Sequence, residues 1–213
     1  MDELTLCNSA LGLIGHTVAL ETLQEPYKCP EARTCARLLP ECIELALSQG
    51  QWSFARRDEV LTSDYLTEFK SYPWRFTYSL PDDVGVIFSL TTLEADSRIN
   101  TFGYDRGYVR FDLRNIDDRR YLVTDHKPDL VIHYQVKKIP LSLCPPMFIQ
   151  GLEYLLASKL APEYVKSEIG HGMGMDFLQT GLTILQNAQA TDLNQGAYSQ
   201  RPVVVPKWIK ARG

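Results

Sequence analysis

Four histidines, five cysteines and two adjacent aspartate pairs are the raw material for a catalytic or metal site in this chain. His16, His126, His133 and His171 stand apart, none with a second histidine four residues on and none in an HExxH context, so their spacing makes no zinc site. His133 lies inside the strand-like run Asp129–Gln135, where a hydrogen-bonded structural histidine is the plainer reading. Asp82-Asp83 and Asp117-Asp118 are the carboxylate pairs, and acid–base work on a glycosidic bond needs two carboxyls facing each other about 5–9.5 Å apart. Neighbours on a strand point to opposite faces, so neither pair reaches that geometry alone. Asp82-Asp83 follows Pro81 and reads as turn chemistry. There is no GxSxG elbow and no Walker sequence.

Cys7, Cys29, Cys35, Cys42 and Cys144 form an odd set without a regular framework, which points to free thiols in a reducing compartment. Cys35 and Cys42 are seven apart and share a helix face, where a thiol behaves as a small hydrophobe. The run Gly170-His171-Gly172-Met173-Gly174 has the look of a phosphate cradle, but such a loop follows a strand and this one follows a helix. Gly170, Gly172 and Gly174 are therefore expected to form a flexible hinge between two helices. Trp52, Phe54, Tyr72, Trp74, Phe76 and Tyr78 could stack bases on a strand surface. With only Arg56, Arg57, Lys70 and Arg75 close by, a core role is preferred. No catalytic, cofactor-binding or metal-binding residue is assigned, and no cofactor is expected.

The elements that position these residues follow from periodicity. Leu4, Cys7, Leu11 and Ile14 form one helical stripe closed by Gly15, and a second helix follows Pro30 and ends at Gly50, with Pro40 inside it. From Trp52 the texture becomes short apolar runs between Pro, Gly and Asp clusters: Glu59–Leu61, Phe76–Leu80, Val84–Leu93, Tyr108–Leu113, Tyr121–Thr124 and Leu130–Val136, with turns near Pro81-Asp82, Gly103–Gly107 and Asn115–Arg119. After Pro145 a stripe of Phe148, Leu152, Leu155, Leu156 and Leu160 predicts a helix, and residues 173–194 predict another. The expected fold is α+β. Residues 1–55 and 145–194 form a helical bundle from both chain ends, 56–144 an inserted antiparallel β-rich module, and 195–213 an extended basic tail.

Composition excludes several classes. Hydrophobic residues at 45% and charged residues at 23% are ordinary globular usage, against disorder, collagen or coiled coil. No apolar run reaches the roughly 18–20 residues a membrane crossing needs, and no signal peptide follows the acidic Met1–Glu3, so a soluble, unsecreted protein is expected. The net charge of −4 is split: after Asp192 there are four basic residues and no acid, so the first 192 residues carry −8. An acidic body is a poor general nucleic-acid binder.

The order of short motifs carries more than any one of them. Cys7-Asn8-Ser9-Ala10-Leu11 precedes Ile14-Gly15, then comes Gly50-Gln51-Trp52-Ser53-Phe54-Ala55, then Tyr78-Ser79-Leu80-Pro81-Asp82-Asp83, then the Tyr121–Thr124 and Leu130–Tyr134 strands. A Pro-initiated helix with Leu155, Ala157, Leu160 and Ala161 closes the series. Over roughly residues 3–190 this resembles the head-to-tail adaptor (connector) family of short-tailed phages, the tail tubular protein A or packaged-DNA stabilisation proteins. Asn8, Leu11, Gly15, Trp52, Phe54, Tyr78, Pro81 and Asp82 are the residues that carry the motif.

The resemblance implies a non-enzymatic virion protein made in the host cytoplasm and placed at the head–tail junction. It implies a twelve-subunit ring beneath the portal protein that extends the DNA channel, helps retain packaged double-stranded DNA without sequence-specific contacts, and meets the tail nozzle or fibres. By the same resemblance the C-terminal segment reaches the portal, a role that falls here on Arg201, Val203, Val205, Lys207, Trp208, Ile209, Lys210 and Arg212. The residues agree in kind. An acidic inner face lets a duplex slide without sticking, and an apolar, basic, proline-stiffened segment suits docking between neighbours. The alternatives are a tail-associated cell-wall-degrading enzyme, which needs a cleft with two opposed carboxylates, and a nucleic-acid-binding module, which needs salt-sensitive binding of free DNA.

Overall fold

The computed structural model of the chain describes residues 1–17, 19–23, 29–68, 71–93, 108–127, 129–165 and 168–197. These fall into two compact units, Met1–Phe54 with Lys138–Ala197, and Ala55–Lys137.

The first unit holds the helices. α1 (Glu3–Leu13) opens with the Asp2 carboxylate accepting the Thr5 N–H at 2.8 Å and closes at Gly15, whose φ of 81° lets the chain reverse at little cost. α2 (Pro30–Ser48) takes proline at its first position, where no hydrogen bond is lost. Its buried residues, among them Ala32, Cys35, Leu39, Cys42 and Ala46, recur at three- and four-residue spacing, so one stripe faces inward. α3 (Pro146–Tyr164) and α4 (Glu168–Ala197) complete the set.

The expected bundle from both chain ends is corrected. The substantial helix packing runs through α3, with α4 as its main partner and α1 and α2 also against it. The buried residues of α3 explain why. Phe148, Ile149, Leu152, Leu155, Leu156, Ala157, Leu160 and Ala161, with Gly151, point in nearly every direction around its axis. A helix buried around most of its circumference belongs at a centre, whereas a bundle helix needs a single stripe. α3 is thus a hub, and the four helices do not close into a bundle.

The expected hinge at Gly170, Gly172 and Gly174 is corrected too, because all three lie inside α4, in its first two turns. A Cβ on Gly170 would sit 2.3 Å from the Val165 carbonyl oxygen, and one on Gly174 would sit 2.8 Å from the Ser158 carbonyl oxygen. Pro162 has no N–H to offer that Ser158 carbonyl, four residues before it, and the Gly174 backbone lies against it. Further along, Gly181 and Gly151 approach so closely that a Cβ on Gly181 would be 3.1 Å from the Gly151 carbonyl oxygen. Glycine here serves close helix packing between α3 and α4. Gly172 is the exception, with nothing near the position of its missing side chain.

The second unit is not one β-rich module but two three-stranded antiparallel sheets. β1 (Arg56–Leu61), β6 (Leu130–Val136) and β3 (Val84–Thr92) form the first in that order; β2 (Phe76–Ser79), β5 (Arg119–Thr124) and β4 (Phe111–Ile116) form the second. β6 is buried along its whole length, as a central strand rich in β-branched and aromatic residues should be. β4 and β5 are joined at Asp117 and Asp118, both with positive φ (47° and 61°), the mirror-image turn whose twist matches a hairpin. α4 runs on to Ala197, so Gln195–Ala197 are helical and not the start of an extended tail. The proposed portal-contact residues Arg201–Arg212, and the turn near Gly103–Gly107, lie outside the described residues.

Candidate functional site

Strand alternation on β1 builds two polar sites, one on each face of the first sheet. Arg57 and Glu59 project to one side and lie opposite Tyr134 and Ile132 of β6. With Tyr65, Leu80, Pro81, Asp82 and Asp83 they line a cleft of about 540 Å³. The Tyr134 hydroxyl is 3.1 Å from a Glu59 carboxylate oxygen and 3.0 Å from an Asp83 carboxylate oxygen. Tyr65 donates its hydroxyl to the other Glu59 oxygen, and Arg57 pairs with the other Asp83 oxygen. Burial, and then the Asp83 contact, pushes the Tyr134 hydroxyl well above the ordinary tyrosine range; the bond to Glu59 raises Tyr65.

The chemistry of this cleft follows from what stands between its carboxylates. Glu59 and Asp83 both reach the Tyr134 hydroxyl, so their facing oxygens lie no more than about 6 Å apart, short of the roughly 6.5–9.5 Å of an inverting glycosidase pair. The phenol oxygen stands between the two carboxylates, within hydrogen-bond distance of both. Tyr65 and Arg57 each donate to one carboxylate, and the single hydroxyl hydrogen of Tyr134 is left to serve the facing oxygen of either Glu59 or Asp83. The arrangement is a brace joining β1, β6 and the Pro81–Asp83 turn, with Asp82 left exposed at its mouth.

On the opposite face His133 Nδ1 lies 2.7 Å from Asp58 Oδ1, and Nε2 lies 3.0 Å from the Thr91 hydroxyl. These are the distances of an acid–imidazole–hydroxyl relay. Thr91 is only 4% exposed, however, so its hydroxyl is walled off from a substrate. The set ties β1, β6 and β3 together, and His133 is the structural histidine its strand context suggests.

The motif residues occupy local joints. The Asn8 side-chain amide donates to the Leu20 carbonyl at 3.0 Å and accepts the Leu20 N–H at 2.7 Å, clamping the chain that leaves α1. Leu11 is buried beside it in sequence, and Gly15 makes the reversal between them possible. Trp52 is buried, donates its indole N–H to Ala46, and packs edge-on to Phe148 at 5.0 Å, with Phe54 also at 5.0 Å from that ring. Tyr78 is buried, donates to the His126 carbonyl at 3.0 Å, and is pushed up to about 12 by burial. Pro81 accepts the Val84 N–H at 3.2 Å to close its turn.

The aromatic set therefore does not form one surface: Trp52 and Tyr78 are core, Tyr72 is 95% exposed, and Trp74 lies under the Arg110 guanidinium at 5.5 Å. Among the described residues no group of His, Cys, Asp and Glu is placed to hold a metal ion, and no helix is long and apolar enough to cross a membrane. Glu59, Tyr65 and Tyr134 were not singled out by sequence. Their bonds span six and 75 residues, and the only local trace is the Arg56–Glu59 alternation.

No protein-family profile matches the sequence, and no curated protein matches it.

Proposed function

We propose that the chain is a structural subunit of a phage head-to-tail adaptor, a non-enzymatic virion protein that assembles as a twelve-subunit ring under the portal. The ring extends the DNA channel, helps retain the packaged duplex and offers its far side to the tail nozzle or fibres. The observation that carries this reading is that the residues of the ordered motif are joint-makers: Asn8 clamps Leu20, Gly15 reverses the chain, Trp52 is wedged against Phe148, and Pro81 closes the turn into β3. Residues with such roles have to recur in order if a scaffold is to be preserved.

Charge supports the same reading. A body carrying −8 over its first 192 residues repels phosphate, so a duplex passes without being held. The basic segment Arg201–Arg212 is the part suited to gripping the portal. Mixing the purified chain with portal rings and imaging the product by electron microscopy tests the proposal. A ring of added density on one face of the portal is expected, and no association sinks it.

A further inference from the structure

The first unit holds a pocket that neither the motif residues nor the adaptor reading uses. It has a volume of about 340 Å³ and is walled by Met1, Leu141, Cys144, Pro146 and Ile149. Local structure builds it. The short 3-10 turn Leu141–Leu143 turns Leu141 inward, and Pro146 opens α3. Ile149 and Glu153, four residues apart, then share one face of that helix. Glu153 is the one carboxylate in the lining, and no lysine or arginine stands with it. It is half-buried, accepts a hydrogen bond from the Ser9 side chain, and forms no ion pair with another described residue. Burial raises its carboxyl above the usual range, and the Ser9 bond offsets part of that. The Met1 amino group acts on Asp2 and not on Glu153. Cys144 adds no charge, because burial pushes its thiol up to about 11. Glu153 is thus a carboxylate among apolar walls whose loss of water no cation of the pocket offsets.

We propose that this pocket binds a small organic cation, a protonated amine on an apolar body, with the ammonium group on Glu153 and the body against Leu141, Pro146 and Ile149. Charge and size select that ligand. An anion meets the carboxylate and is repelled, and a neutral apolar molecule covers the carboxylate without pairing it. A divalent metal ion needs several oxygen ligands, and the lining has a single carboxylate. The volume lies at the lower end of small-molecule sites. The inference goes beyond the adaptor reading and shares no residue with it, so either can fail alone.

The test is a titration of the isotope-labelled full chain at pH 7, followed by two-dimensional NMR at the Leu141, Ile149 and Glu153 amides. Phenethylammonium is expected to give saturable shifts there. The neutral analogue phenylethanol should bind about tenfold more weakly, having lost a charged hydrogen bond, and phenylpropionate should shift nothing. Glu153→Gln keeps the apolar walls and should erase the preference for the amine over the alcohol. If circular dichroism shows that variant to be poorly folded, Ser142→Trp is read in its place. It sets an indole at an exposed position of the lining and should weaken the amine about tenfold. No saturable shift at these amides, equal binding of amine and alcohol, or binding that the variant read leaves unchanged overturns the inference. So does binding of a lysine-bearing apolar peptide without binding of the free amine, which makes the pocket a protein-docking surface.

Discussion

Ser53 is held by Asp192, 139 residues further along the chain: its backbone N–H and its hydroxyl both donate to that carboxylate, at 2.6 and 2.5 Å. Asp192 is buried near the end of α4, so two well-aligned bonds satisfy a charge that would otherwise be costly to enclose. The pair ties the last turns of α4 to the chain that has just left α2.

Asp192→Ala leaves the Ser53 donors without their partner and should cost about 1–3 kcal/mol of stability. Asp192→Asn should cost less, because its amide oxygen still accepts one of the two bonds. Urea unfolding followed by fluorescence measures both.

Asn8→Ala removes both bonds to Leu20 and should destabilise by a similar amount, about 1–3 kcal/mol. The local signature is hydrogen exchange. The Leu20 amide should lose protection far beyond what the global loss of stability accounts for, whereas a uniform increase across the first unit would argue against a clamp.

The glycines at the start of α4 should respond with opposite signs. Gly172→Ala, with open space at the new Cβ, should stabilise by up to about 1 kcal/mol, the ordinary gain of alanine over glycine in a helix. Gly170→Ala and Gly174→Ala drive a methyl into backbone carbonyls and should lower the melting temperature. Three changes of one sign would contradict the packing role assigned here.

Glu31 is held below the usual carboxylate range, first by the hydrogen bond from the Cys29 thiol at 2.9 Å, with a smaller contribution from His16 at 3.3 Å. A folded-state pKa below the unfolded one adds stability above the ordinary glutamate range, and that stability disappears as pH falls through the folded value. Glu31→Gln should therefore melt earlier than the parent at pH 7, and the two curves should converge once the pH has fallen below the folded-state value. Thermal melts across that range decide it.

Truncation after Ala197 deletes the four basic residues of the C-terminal segment and no acid. The shortened chain should unfold at the parent's midpoint yet fail to add density to portal rings in the microscope. Normal attachment would move the portal contact elsewhere on the chain.

Much of the local structure is legible because it is written at short range. Pro30 starts α2 and Gly15 stops α1, since one needs no donor and the other tolerates positive φ. Leu130–Val136 reads as a strand from its β-branched and aromatic content, and it is β6. The glycine run misled for the same short-range reason. Three glycines in five residues lower helix propensity, and only the carbonyls of Ser158, Ala161 and Val165 pressing on that segment make glycine the residue that fits.

By itself the amino-acid sequence determined where α1, α2 and β6 lie, which residues of the α2 stripe turn inward, and the division between an acidic body and a basic end. These follow from periods of two and 3.6 and from summed charge, which need no knowledge of the partner. Only the tertiary structure decided that α3 is a hub, that Glu59 and Asp83 meet at Tyr134, and that Asp192 holds Ser53. The bonds at Tyr134 and Ser53 cross 51 to 139 residues. A contact closed over such a loop leaves no periodic mark on either segment, because its geometry exists only once the chain has packed.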